Sequence, residues 1–182
     1  MEDIIKSISS KISSYNIFNN LLPGIVFCVT ITKLTRFNMV VDSILEQLFI
    51  WYFSGIVISR IGSVLIEGLL KKIKIKGTPY LNFADYKQYV SAAEAKPFIV
   101  TLSETNNTYR TIIALIISVG VVYLYDDLLY DWFAQNFAAG NKLTILLAGV
   151  LLIFLFVKSY KKQTDYIRKQ VEHFVDEQHL SK

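Results

Sequence analysis

Cysteine, proline and histidine are nearly missing from this 182-residue chain, which holds one, three and two of them. A single cysteine, Cys28, cannot close an intrachain disulfide, and it lies inside an apolar stretch. The two histidines and one cysteine stand at no metal-ligand spacing, so neither a metal nor a cofactor is expected. A glycine-rich phosphate loop and an HExxH pair are also lacking, and the chain is not expected to be an enzyme. Charge is scarce too: 19% of the residues are charged, below the usual quarter, while 53% are hydrophobic.

What is present is long apolar runs. Thr111 to Tyr125 and Leu143 to Val157 contain no charged residue, and charged residues flank both. A soluble domain shows amphipathic periodicity instead. Two further segments, Ile17 to Leu34 and Leu48 to Leu70, are long enough to cross the hydrocarbon core. The expected fold is therefore all-α: one integral membrane helical bundle of four spans, near 17–34, 48–70, 111–130 and 143–157. Ile4, Ile5, Ile8, Ile12 and Tyr15 recur at helical spacing and predict an N-terminal amphipathic helix, either in the headgroup layer or against the protein itself. No small-residue cleavage site follows the first apolar segment, which is expected to stay in the membrane. Asp85 is placed to cap a short helix that ends before Pro97, Gly77-Thr78-Pro79 reads as a turn, and a charged helix follows Lys158.

Orientation follows from counting basic residues. The N-terminal arm carries two, residues 71–110 seven and residues 158–182 six. The two intervening loops, 35–47 and 126–142, carry one each, Arg36 and Lys142, against five acidic residues. Basic residues stay on the cytoplasmic side, so segments 1–16, 71–110 and 158–182 are expected there, with both termini inside.

Five features are candidates for function. Arg60 interrupts the second span, where an arginine costs about 2.5–3.5 kcal/mol on insertion scales and so faces protein or water. Glu67 lies seven residues on, nearly the same face of a regular helix, with Gly62, Ser63 and Gly68 nearby to allow close helix contact. Arg60 thus lines a pore or pairs with Glu67; alternatively its side chain snorkels to the headgroups. Pro23-Gly24 in the first span predicts a kink or a break, and Asn19 and Asn20 stand ready to satisfy the freed backbone groups. Lys71, Lys72, Lys74 and Lys76 form a basic strip directly after a span, suited to a partner or to anionic lipid heads. Asp126, Asp127 and Asp131 read either as a solvated acidic loop or as a cation attractor. Arg168 and His173 fit R-x-x-x-x-H, a short and weak pattern used by HEPN-type ribonucleases; the plain alternative is an amphipathic helix face.

The stretches Tyr15–Gly24 (YNIFNNLLPG), Ser59–Glu67 (SRIGSVLIE) and Leu102–Arg110 (LSETNNTYR) give this chain its family likeness. Over residues 15 to 175 it resembles the accessory membrane proteins of type VI-B CRISPR systems, encoded beside an RNA-targeting nuclease. One branch of that group has four spans; the other carries a divergent HEPN motif and is associated with an oligomeric membrane pore. The hydropathy profile favours the four-span branch. The resemblance implies an accessory protein of antiviral defence in the bacterial inner membrane. It would act as an oligomer that perturbs membrane permeability when its nuclease partner is active. A non-conducting membrane scaffold for the nuclease is the alternative, and a membrane-tethered HEPN-like ribonuclease a further one.

Overall fold

The computed structural model describes residues 14–136 and 140–180; the amphipathic helix expected over residues 1–15 lies outside them but for its last two positions. Four helices are long and apolar enough to cross a membrane: α1 (Ile17–Leu34), α2 (Ile44–Leu70), α4 (Phe98–Asn136), and the greater part of α5 (Gly140–Leu180). The chain is a multi-pass helical membrane protein, as its apolar runs require. Between α2 and α4 lie a two-stranded hairpin, β1 (Lys74–Ile75) and β2 (Thr78–Pro79), and the short helix α3 (Tyr86–Ala95). We call the end of the bundle that carries these elements the basic end, and the end with Asp126 and Asp131 the acidic end.

Local chemistry explains the boundaries. α2 begins at Ile44, four residues before the expected Leu48, because the Ser43 side chain accepts from the Glu46 backbone N–H, the first half of a capping box. α4 begins at Phe98 and takes in the polar stretch that precedes the expected span. There Thr105 and Thr108 return their hydroxyls to carbonyls four residues back, which lets polar residues stay helical. α5 runs 41 residues without interruption, so the expected fourth span and charged tail are one helix. The hairpin turn places both Lys76 and Gly77 at positive φ, as a two-residue type I′ connection demands. Asp85 does cap α3, accepting from the Lys87 N–H at 2.9 Å.

Three π-helical turns interrupt the long helices: Ile17–Leu21 in α1, Gly62–Ile66 in α2 and Tyr125–Leu129 in α4. The first lies directly before Pro23. Its Leu22 N–H bonds to the carbonyl of Ile17, five residues back, so the helix widens ahead of the proline rather than breaking.

α1 and α2 touch backbone to backbone. A Cβ on Gly24 would collide with the Trp51 carbonyl oxygen, and one on Gly55 with the Asn20 carbonyl oxygen. Glycine at both positions is what permits this crossing. Gly62 makes a second close approach, to the Arg110 backbone, whereas Gly68, expected to help, has nothing near it among the described residues. A small buried apolar cluster, Ile58, Ile66 and Ala114, has Phe27, Ile61, Leu70 and Leu115 packed around it. Burial falls along the chain: 33% of the most apolar window is buried in α1 but 6% in α5. Large apolar side chains such as Ile116, Ile145 and Ile153 are exposed, as membrane-facing side chains are.

Replacing Gly55 by valine is expected to cost about 3 kcal/mol or more, because backbone cannot yield to the added atoms. Gly149→Ala, with open space around it, should be neutral or slightly stabilising. Unfolding of the detergent-solubilised variants in mixed micelles checks both.

Candidate functional site

Two polar layers cross the bundle. The inner one is uncharged. Asn19 of α1 donates to the Ser59 hydroxyl of α2 at 2.9 Å and accepts from the Thr111 hydroxyl of α4 at 2.8 Å. It also donates to Asn20 at 3.2 Å, and Asn20 donates to Asn16 at 3.4 Å. Asn19, Asn20, Ser59 and Thr111 are all buried. One asparagine thereby ties three helices where water is scarce, each bond worth about 1 kcal/mol. In place of the backbone repair expected of the two asparagines, the structure has a side-chain network between helices.

The outer layer, at the basic end, centres on the buried Glu67 of α2. One carboxylate oxygen takes Lys71 at 2.7 Å; the other takes Arg110 of α4 and Lys162 of α5, the lysine at 2.8 Å. Lys162 also donates to the Ser63 carbonyl and hydroxyl, both at 3.0 Å, within the π-turn of α2. Lys71 lies 4.4 Å from the centre of the Phe83 ring, so its ammonium is held on both sides. Glu67 thus joins α2, α4 and α5, and three cations converge on it.

This geometry redirects the expectation for Arg60. Seven residues separate Arg60 from Glu67, but the π-turn between them inserts about one extra residue, a rotation of roughly 100°. The two side chains therefore leave α2 on different faces, and Glu67 pairs with Arg110, Lys162 and Lys71 instead. Arg60 is half-buried, and no hydrogen bond or ion pair reaches it among the described residues. Pro23 and Gly24 are buried at the α1–α2 crossing. Lys72, Lys74 and Lys76 are exposed on or beside the hairpin, away from the Glu67 contacts that Lys71 makes.

The tail residues do not converge. Arg168 is exposed and only loosely paired, 3.9 Å from Asp165 and Glu172. His173 is buried against α3, with its Nε2 3.1 Å from the Ser91 hydroxyl. Around it α3 docks on α5: Tyr86 stacks on Tyr166 at 5.5 Å and Lys87 meets Asp176 at 2.5 Å. Asp176 raises the Lys87 pKa above its ordinary value. At the acidic end Arg36 binds Asp126 at 2.6 Å and Asp131 at 2.8 Å and lies over the Tyr130 ring. That pairing, chiefly the hydrogen bond to Asp131, raises the Arg36 pKa. Among the described residues no group of acidic, histidine and cysteine side chains is placed to hold a metal ion.

Sequence reasoning missed Arg110 and Lys162 because each stands just outside an apolar run and reads as a flanking charge. Their approach to Glu67 depends on the crossing of α2 with α4 and α5. Glu67→Gln is expected to destabilise the bundle by about 3 kcal/mol, since it strands the half-buried Arg110 and Lys162. Thr111→Val should cost about 1 kcal/mol. Mixed-micelle unfolding of the two variants measures the difference.

No protein-family model, no curated protein and no solved structure matches this chain.

Proposed function

We propose that the protein is an oligomeric membrane effector or modulator of CRISPR-linked antiviral defence, seated in the bacterial inner membrane with both termini in the cytoplasm. In this reading it alters membrane permeability when an RNA-targeting nuclease partner is active, and it catalyses no reaction itself. The observation that carries the reading is the Glu67 centre. Ionisable groups inside a spanning bundle are costly and are kept where charge or water must be controlled. Here they clamp α5 to α2 and α4. Displacing α5 opens the clamp and lets water reach Glu67, Arg110 and Lys162 between the helices. Arg60 of α2, half-buried and without an ion pair among the described residues, adds a further cation to such a path. The sparse burial of α4 and α5 supports assembly, since both leave broad faces for lipid or for further copies.

A second reading, a non-conducting scaffold, draws on the docking of α3 against α5 by Tyr86, Tyr166, Ser91 and His173. That contact builds an ordered surface at the basic end, beside Lys71, Lys72, Lys74 and Lys76. The ribonuclease reading has less support, because Arg168 and His173 leave α5 in different surroundings, one exposed and one buried.

Membrane potential in cells, followed with a voltage-sensitive dye, separates these readings. The effector reading expects depolarisation only with the active nuclease, abolished by Arg60→Ala at unchanged membrane insertion. Glu67→Gln should depolarise without the partner. An unchanged potential with clean insertion would overturn the effector reading. Loss of nuclease co-purification on reversing the charge of the four lysines would then support the scaffold.

A further inference from the structure

The Glu67 centre is electrically unbalanced. One carboxylate faces three cations, Lys71, Arg110 and Lys162, leaving a formal excess of two positive charges where Arg110 and Lys162 are each no more than a quarter exposed. Excess charge in a low-dielectric site is costly unless a counter-ion offsets it. Arg110 shows where the deficit lies. Its Nη1 binds Glu67, but its Nε is fully buried and meets no acceptor among the described residues. A buried guanidinium N–H without an acceptor is a donor awaiting an oxyanion.

Position narrows the choice of anion. Arg110 immediately precedes the apolar run of α4, Lys71 immediately follows α2, and Lys162 stands five residues beyond the apolar run of α5. All three therefore lie at the level where the hydrocarbon gives way to headgroups. Each keeps an exposed edge, 20% for Arg110, 24% for Lys162 and 46% for Lys71, so the site is open from one side. Phosphate oxyanions match a guanidinium flanked by ammonium groups.

We propose that the α2–α4–α5 seam binds a phosphate group through Arg110, Lys162 and Lys71, and that in a bilayer this is the headgroup of an acidic phospholipid. The lipid offsets the excess charge left by Glu67 and closes the seam on its open side. This site is distinct from the exposed strip Lys72, Lys74 and Lys76, which has only diffuse attraction to offer. It does not depend on a role in defence, and its test reads binding alone.

The full chain, purified in a neutral maltoside detergent, is titrated with phosphatidylglycerol, phosphatidylcholine or inorganic phosphate. Melting temperature and retained lipid by native mass spectrometry are the readouts. Phosphatidylglycerol should raise the melting temperature and stay bound, and phosphatidylcholine should do neither. Arg110→Lys keeps a cation on Glu67 but lacks Nε, and should weaken binding about tenfold. Lys71→Gln, the change at the most exposed of the three, should weaken it about threefold and guards against misfolding of the first variant. A combined Lys72, Lys74 and Lys76→Gln variant should bind within about twofold of the parent. Equal stabilisation by inorganic phosphate would support the phosphate site but assign it to a free anion. Equal shifts with both lipids, or undiminished binding by the Arg110 and Lys71 variants, would overturn the proposal.

Discussion

Three helices of this bundle meet on one carboxylate. Glu67 supplies both oxygens, one to Lys71 and the other to Arg110 and Lys162, and so decides where α4 and α5 lie against α2. A purely apolar contact between membrane helices is weakly directional, since lipid tails are as apolar as the side chains they replace. An ion pair in that setting is directional, because any displacement strands a charge. The small core of Ile58, Ile66 and Ala114 supplies shape, and Glu67 supplies register.

Register at the other contacts rests on similar economy. Gly24 and Gly55 bring α1 and α2 to backbone contact, and the Asn19 side chain fastens that pair to α4 through Ser59 and Thr111. The π-turns belong to the same design. The turn at Ile17–Leu21 contains Asn19 and Asn20, and the turn at Gly62–Ile66 contains Ser63, the second acceptor for Lys162. The turn at Tyr125–Leu129 contains Asp126, bound by Arg36, and Tyr125, whose hydroxyl meets that of Thr144 on α5. Each widened turn thus carries a side chain that reaches another helix or loop, in keeping with the frequent appearance of such turns at functional positions.

Much of this architecture is legible in the sequence, because uncharged runs have only one stable environment. The four spans, the Asp85 cap and the turn at Gly77 all follow from local chemistry. The start of α2 was available as well, in the Ser43 and Glu46 spacing, though the apolar run alone places it later. The site is legible only in part. Glu67 stands out as a charge inside a span, but its partners come from 43 and 95 residues away and from the fourth residue along. The pairing with Arg60 inferred from helical spacing fails because a π-turn, invisible to a fixed period of 3.6, lies between them.

The unbroken course of α5 has a mechanical consequence. Its 41 residues measure about 60 Å, twice the thickness of a hydrocarbon core. With no proline or loop to absorb bending, a push on its basic-end half travels to the apolar half as a tilt of one rod. Lys162 stands near the fulcrum, and α3 grips the basic-end arm at Tyr166 and His173. A few ångströms of sideways motion at that grip become a rotation felt along the whole depth of the bilayer.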